Sequence, residues 1–223
     1  MTRIFWFSVA DLWMIACGAF CGWKFIKKHK NYVLGIEWLI VAYSGTNLLV
    51  YTFNPNPVLY HISFFLDAFS RALGFTVLVI MGLMMATHRY KPSVATDVWG
   101  FAIAAVVGLV LHFVPLGLFT PLFLLIMWTV LSCFLAYFAW RLWQAGERLH
   151  AWGIAAVIVT SQIIASIYDF YTIPGDDSEK TLFFIAALTV WGFCLFEIYH
   201  AYGALQRSAG KTVRAPESAE SAH

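Results

Sequence analysis

Residues 61–87, HISFFLDAFSRALGFTVLVIMGLMMAT, form an unbroken apolar run that carries one acid and one base in its interior, Asp67 and Arg71. A hydrocarbon core of about 30 Å takes about 20 mostly apolar helical residues to cross. The run is long enough, and a helix satisfies each of its backbone N–H and C=O groups without help from water. Asn54-Pro55-Asn56-Pro57 stops the chain on one side of it and Lys91-Pro92-Ser93 on the other.

Working outward from this run, comparable stretches lie at 4–24, 32–53, 98–116, 119–142, 151–173 and 181–205. Pro115 to Pro121 parts the fourth from the fifth, and Pro174-Gly175-Asp176-Asp177 parts the sixth from the seventh. The expected fold is all-α: a polytopic membrane protein with seven transmembrane helices over residues 1–205 and a small, polar, disordered cytoplasmic tail over 206–223. Composition agrees, because 61% hydrophobic and 12% charged residues is roughly half the charge of a soluble domain. Arg3 precedes the first stretch, but Asp11 interrupts it and Lys24 to Lys30 close it, which suits a retained span better than a cleaved leader.

Lysine and arginine set the expected orientation. Eleven of the 14 basic residues follow the first, third, fifth and seventh stretches, whereas Arg3 and Lys180 fall on the opposite side and Arg71 lies within a span. The positive-inside rule then puts the N-terminus outside and the C-terminus in the cytoplasm of a bacterial-type inner membrane. The net charge of +2 is a topology signal and gives no footprint for nucleic acid. Cys17, Cys21, Cys133 and Cys194 all fall inside spans and read as small packing residues.

Ionisable residues inside a bilayer cost roughly 2.5–3.5 kcal/mol on insertion scales and face a protein interior or a watery cavity. At about 1.5 Å per residue, Asp11, Asn47 and Asp67 lie about 10 Å below the outer surface. Arg71 and Gln162 lie about 15 Å down, and Asp169 is nearer the rim. These six residues, from the first, second, third and sixth helices, are the candidate ligand-binding set around an outward-facing cavity. Helical spacing favours a common interior: Asp67, Arg71 and Gly74 stand at i, i+4 and i+7, as do Gln162, Ser166 and Asp169. Glu37, Ser44, Asn47 and Tyr51 stripe the second helix, and Asp11 aligns with the small pair Gly18 and Gly22 on the first. The blander alternative makes Asp67 and Arg71 an intrahelical pair, and Asn47 and Gln162 interhelical glue.

Histidines raise a second chemistry. His88, His150 and His200 lie near cytoplasmic helix ends, and His61 and His112 lie toward the outer side, as axial haem ligands would require at a common depth. Glu147 to His150 and Glu197 to His200 repeat the Glu-x-x-His spacing of dinuclear metal proteins. There is no Walker loop, His-Glu-x-x-His helix or Gly-x-Ser-x-Gly elbow, and no lysine inside the seventh span. The expectation is a protein without cofactor, metal or catalytic constellation. Trp140, Trp143 and Trp152 mark the cytoplasmic interface.

Shifting the chain by 117 residues superposes Trp23-Lys24 on Trp140-Arg141, Ser44 on Ser161, Tyr51 on Tyr168, Phe53 on Phe170 and Pro57 on Pro174. One further residue brings Gly74-Phe75 onto Gly192-Phe193. The implied arrangement is a parallel repeat of three helices, a connector and three helices, as in secondary transporters. In outline it is similar to small seven-helix carriers such as the sugar-permeating SWEET proteins and the vitamin-riboside PnuC transporters, although the Pro-Gln pairs of the former are missing. The resemblance implies transport and transfers no site residues.

The expected function is to bind a small polar or anionic solute from the outer side and carry it across. Arg71 would meet a carboxylate or phosphate, and Asp67 would hold the guanidinium or take a coupling proton. The alternatives are a sensor or interaction subunit acting through a second copy or a membrane partner, and a haem- or metal-binding redox protein.

Overall fold

A computed structural model describes the backbone of residues 2–220 and the side chains of residues 2–209. The tail expected to be disordered, 206–223, lies largely outside the described side chains. Among the described residues, seven helices are long and apolar enough to cross a membrane. They are α1 Thr2–His29, α2 Tyr32–Phe53, α3 Pro57–Thr87, α4 Val94–Phe113, α5 Phe119–Gln144, α6 Arg148–Tyr168 and α7, which begins at Thr181 and is apolar through Ala209. The chain is an all-α bundle of the kind that resides in a lipid bilayer.

Local chemistry sets the helix ends. The side chains of Asn31, Asn56 and Ser93 accept the N–H groups of Leu34, Leu59 and Thr96 and so cap α2, α3 and α4. Pro57 occupies the first turn of α3, where no N–H is needed. Two aspartates start α7: Asp177 accepts from Thr181 at 2.9 Å, while Asp176 accepts from Leu182 at 2.8 Å and from Phe183 at 3.0 Å. The acidic loop between α6 and α7 thus supplies an N-terminal cap, a role its sequence did not announce.

Several boundaries differ from the sequence reading. The fourth span lies at Val94–Phe113, earlier than 98–116, because Ser93 caps it and the chain leaves the helix before Pro115. Pro121, expected as a separator, sits in the first turn of α5, where proline is tolerated. The sixth helix ends at Tyr168, leaving Asp169 as its C-terminal flank and not a third residue on a helical face.

Six helices close a ring in the order α1, α2, α3, α5, α6, α7, with α7 packed back on α1. Helix α4 lies outside, against α3. The most hydrophobic stretch of α3 is 61% buried and that of α4 only 11%, which makes α3 the central element and α4 a lipid-facing one. Gly18 and Gly22 permit the closest approach, since a Cβ on Gly18 would stand 2.8 Å from the Trp38 carbonyl oxygen and one on Gly22 3.0 Å from that of Gly35. Across the bundle axis the rings of Trp38 and Phe75 stack at 5.4 Å and those of Phe75 and Trp128 at 5.9 Å. Trp38 donates its indole N–H to the Leu195 carbonyl at 3.1 Å, pinning α2 to α7.

Two helices contain π-helical turns, Phe25–His29 at the end of α1 and Ser70–Leu78 within α3. The second displaces the face expected from a 3.6-residue period. Gly74 consequently lies under Phe69, whose ring atoms a Cβ would meet at 2.5 Å and 2.8 Å, and opens no gap beside Asp67 and Arg71.

Replacing Gly22 with Leu is expected to destabilise the bundle by about 1–3 kcal/mol through overpacking, read as a lower Tm of the detergent-solubilised protein. Asp176→Ala removes two cap bonds and is expected to cost about 1–2 kcal/mol. The carboxyl of Asp177 is held below its ordinary value chiefly by hydrogen bonds from Thr181. Its contribution is therefore complete above the unfolded value of about 4 and is lost as pH falls through the lowered one. A Tm-versus-pH series should show this acid limb shrinking in Asp177→Asn.

Candidate functional site

A cavity of about 150 Å³ lies inside the ring, lined by residues of α1, α2, α3, α5, α6 and α7. Its walls are mostly apolar and aromatic: Phe64, Phe75, Trp128, Tyr168, Phe184 and Trp191, with Met14, Leu48 and Leu188. Ser44, Ser63, Ser70, Asp67 and Arg71 supply its polar groups. The size matches cavities that accept benzene, about six non-hydrogen atoms.

The π turn of α3 begins at Ser70 and carries Arg71 toward α6. The guanidinium of Arg71 forms ion pairs with Asp67 on its own helix at 3.3 Å and with Asp169 at the end of α6. It also lies flat over the Tyr168 ring, 3.8 Å from the centroid. The Tyr168 hydroxyl donates to Asp67 at 3.2 Å, which closes a loop of Arg71, Asp67 and Tyr168 with Asp169 on its flank. Arg71 is only 10% exposed, against 31% for Asp67 and 26% for Asp169. Two carboxylates and a ring thus already engage the guanidinium that was expected to meet an anion.

The other candidates are distributed differently. Asn47 donates to the Leu59 carbonyl at 2.9 Å and to the Ser63 hydroxyl at 2.7 Å, tying α2 to α3. Gln162 accepts from Ser132 at 2.8 Å and donates to Thr129 at 3.2 Å, tying α6 to α5. Neither side chain lines the cavity. Asp11 is fully buried, and both of its oxygens lack a hydrogen-bond partner. It stands behind the cavity wall, where a Cβ on Gly45 would lie 2.7 Å from its Oδ1.

Tyr168, Trp128 and Trp191 were not anticipated as site residues. Tyr168 entered the sequence reading only as a match in the repeat, and the two tryptophans only as members of an aromatic-rich composition. Trp128 carries a further signal: its indole N–H is buried without a partner.

The histidines fall into separate pairs. His61 and His112 touch directly, ring nitrogens 3.2 Å apart, which leaves no space for an iron between them. His150 meets Glu197 at 2.9 Å, His88 bonds Thr87, and His200 bonds the Phe196 carbonyl. The two Glu-x-x-His segments do approach each other through His150 and Glu197, whose carboxylate fills the space left by Gly153. Glu147 instead accepts from Ser208. Among the described residues no group of three or more potential metal ligands forms.

Arg71→Met would leave Asp67 and Asp169 without a counter-charge and is expected to cost about 3 kcal/mol. Asp169→Asn, which keeps the shape and one acceptor, should cost about 1 kcal/mol. Unfolding of the two variants in detergent, compared with wild type, checks the order.

No protein-family model matches the chain, and no curated protein or solved structure is significantly similar to it.

Proposed function

We propose that the chain binds a small polar solute in this cavity and carries it across the membrane, with the Asp67–Arg71–Asp169–Tyr168 cluster as the polar pole of the site. The observation that carries the reading is the cavity itself: a space inside the ring bounded by charged side chains, which a purely structural bundle would gain by replacing with packed apolar ones. Asp67 and Arg71 face the solute, Asp169 and Tyr168 hold them in place, and Asn47 and Gln162 fix the helices that form the walls.

The ring order supports a parallel repeat. Exchanging α1 with α5, α2 with α6 and α3 with α7 turns each packed pair into another packed pair: α1–α2 into α5–α6, α2–α3 into α6–α7, and α3–α5 into α7–α1. The peripheral α4 is then the connector. Solute sites at the interface of such repeats are a general device of secondary transporters. The lysine and arginine distribution supports an outside N-terminus and a cytoplasmic C-terminus. In that orientation the cavity opens from the outer half.

Thermal shift of the purified protein against a metabolite panel should give at least one hit, because a ligand that binds only the folded state at 100 times its Kd adds about 2.7 kcal/mol. Ser44→Leu, which fills the cavity and leaves the ion pairs intact, should abolish both the hit and uptake of that solute into proteoliposomes without lowering Tm. Uptake that survives Ser44→Leu removes the cavity from the route. Cysteine at Ser178 should react with an impermeant maleimide in intact cells, and cysteine at Ala145 only after lysis; the reverse pattern overturns the orientation.

A further inference from the structure

The substrate class of the proposed site can be read from the charges that line it, an inference that rests on the transport reading above. We propose that the cavity takes a small organic monocation, an ammonium of about six or seven non-hydrogen atoms.

Charge is the first argument. Among the described residues lining the cavity Arg71 is the one formal cation, and it is already engaged: a carboxylate sits at each of its terminal nitrogens and the Tyr168 ring lies against it. The carboxylates flanking it expose more of their surface than it does. An ionised carboxylate offers about four acceptor positions, and each oxygen of Asp67 is engaged by one long bond, from Arg71 at 3.3 Å or from Tyr168 at 3.2 Å. What the site has left to offer is acceptor capacity. Lys180 is near the rim, but its ammonium is turned to the Tyr168 carbonyl at 3.0 Å, and Lys180 is not among the residues lining the cavity.

The walls are the second argument. Phe64, Trp128 and Trp191 are aromatic lining residues of the cavity, and aromatic faces attract ammonium groups by their quadrupole, most strongly where water is excluded. An anion would meet the same rings and the Asp67 carboxylate. A neutral apolar guest would leave the acceptors unmet.

Two buried groups without partners complete the description. Both oxygens of Asp11, behind Gly45, lack a donor, and the indole N–H of Trp128, itself a lining residue, lacks an acceptor. Buried polar groups are rarely left unsatisfied without a reason such as an absent ligand or water. A cation seated against Gly45 places positive charge on the side of Asp67 and Asp11.

Isosteres separate charge from shape. Titration calorimetry of the detergent-solubilised full chain would compare choline, its neutral carbon isostere 3,3-dimethylbutan-1-ol, and the anion 3,3-dimethylbutanoate. Choline should bind at least tenfold more tightly than the alcohol, the carboxylate should not bind, and Asp67→Asn should weaken choline at least tenfold. Equal binding of choline and the alcohol, preference for the carboxylate, or binding of none of the three overturns the inference. In those cases the metabolite panel and the Ser44→Leu variant still decide the transport reading on their own, since an anionic hit blocked by Ser44→Leu would leave transport standing and the cation class excluded. Should Asp67→Asn fail to fold, the wild-type comparison of the three isosteres remains decisive.

Discussion

The Arg71 guanidinium is the group on which the polar end of the bundle depends. It extends from α3 to the end of α6, two helices that α5 separates along the ring. In lipid, where helices gain no hydrophobic drive from meeting one another, packing and hydrogen bonding hold them together. The pair with Asp169 and the Tyr168 ring tie α3 to α6 across the interior beside the cavity.

Beyond this tie, the bundle is built on close packing. Glycines at 18, 22 and 35 bring α1 and α2 into near backbone contact, and Trp38, Phe75 and Trp128 run as a stacked column across the axis. Trp128 and Phe75 belong both to this column and to the wall of the cavity. The site's apolar surface is therefore continuous with the protein's most tightly packed region, and its shape is fixed by residues that cannot shift without disturbing the core.

The helical fold was legible because length and hydropathy leave a bilayer-spanning chain few choices, and the proline and asparagine runs fell at real ends. The pairing of Asp67 with Arg71 was legible from their spacing of four. The rest was hidden by long-range geometry. Nothing local to Tyr168 says that its ring will lie beneath a guanidinium 97 positions earlier in the chain. Nothing in the polarity of Gln162 distinguishes a cavity lining from a tie to Ser132 and Thr129. The second acid on Arg71 was hidden too: the sequence displayed one base near two acids, but only the fold put both acids on it. Gly74 misled because a constant period was assumed where the backbone widens.

That widening over Ser70–Leu78 has a bearing on how such a chain can change over time. A π turn holds a surplus residue within a helix that continues on either side, so it uncouples the rotational register of the segment above from that below. Asp67 and the turns before the widening answer to α6, while Val79 to Thr87 answer to the packed core. Removal of one residue from the segment would turn one portion of α3 against the other by about 100°, carrying Asp67 away from Tyr168 while leaving the C-terminal half of α3 seated. The segment is thus a site where a single insertion or deletion could rewire the polar end of the protein without dismantling its foundation.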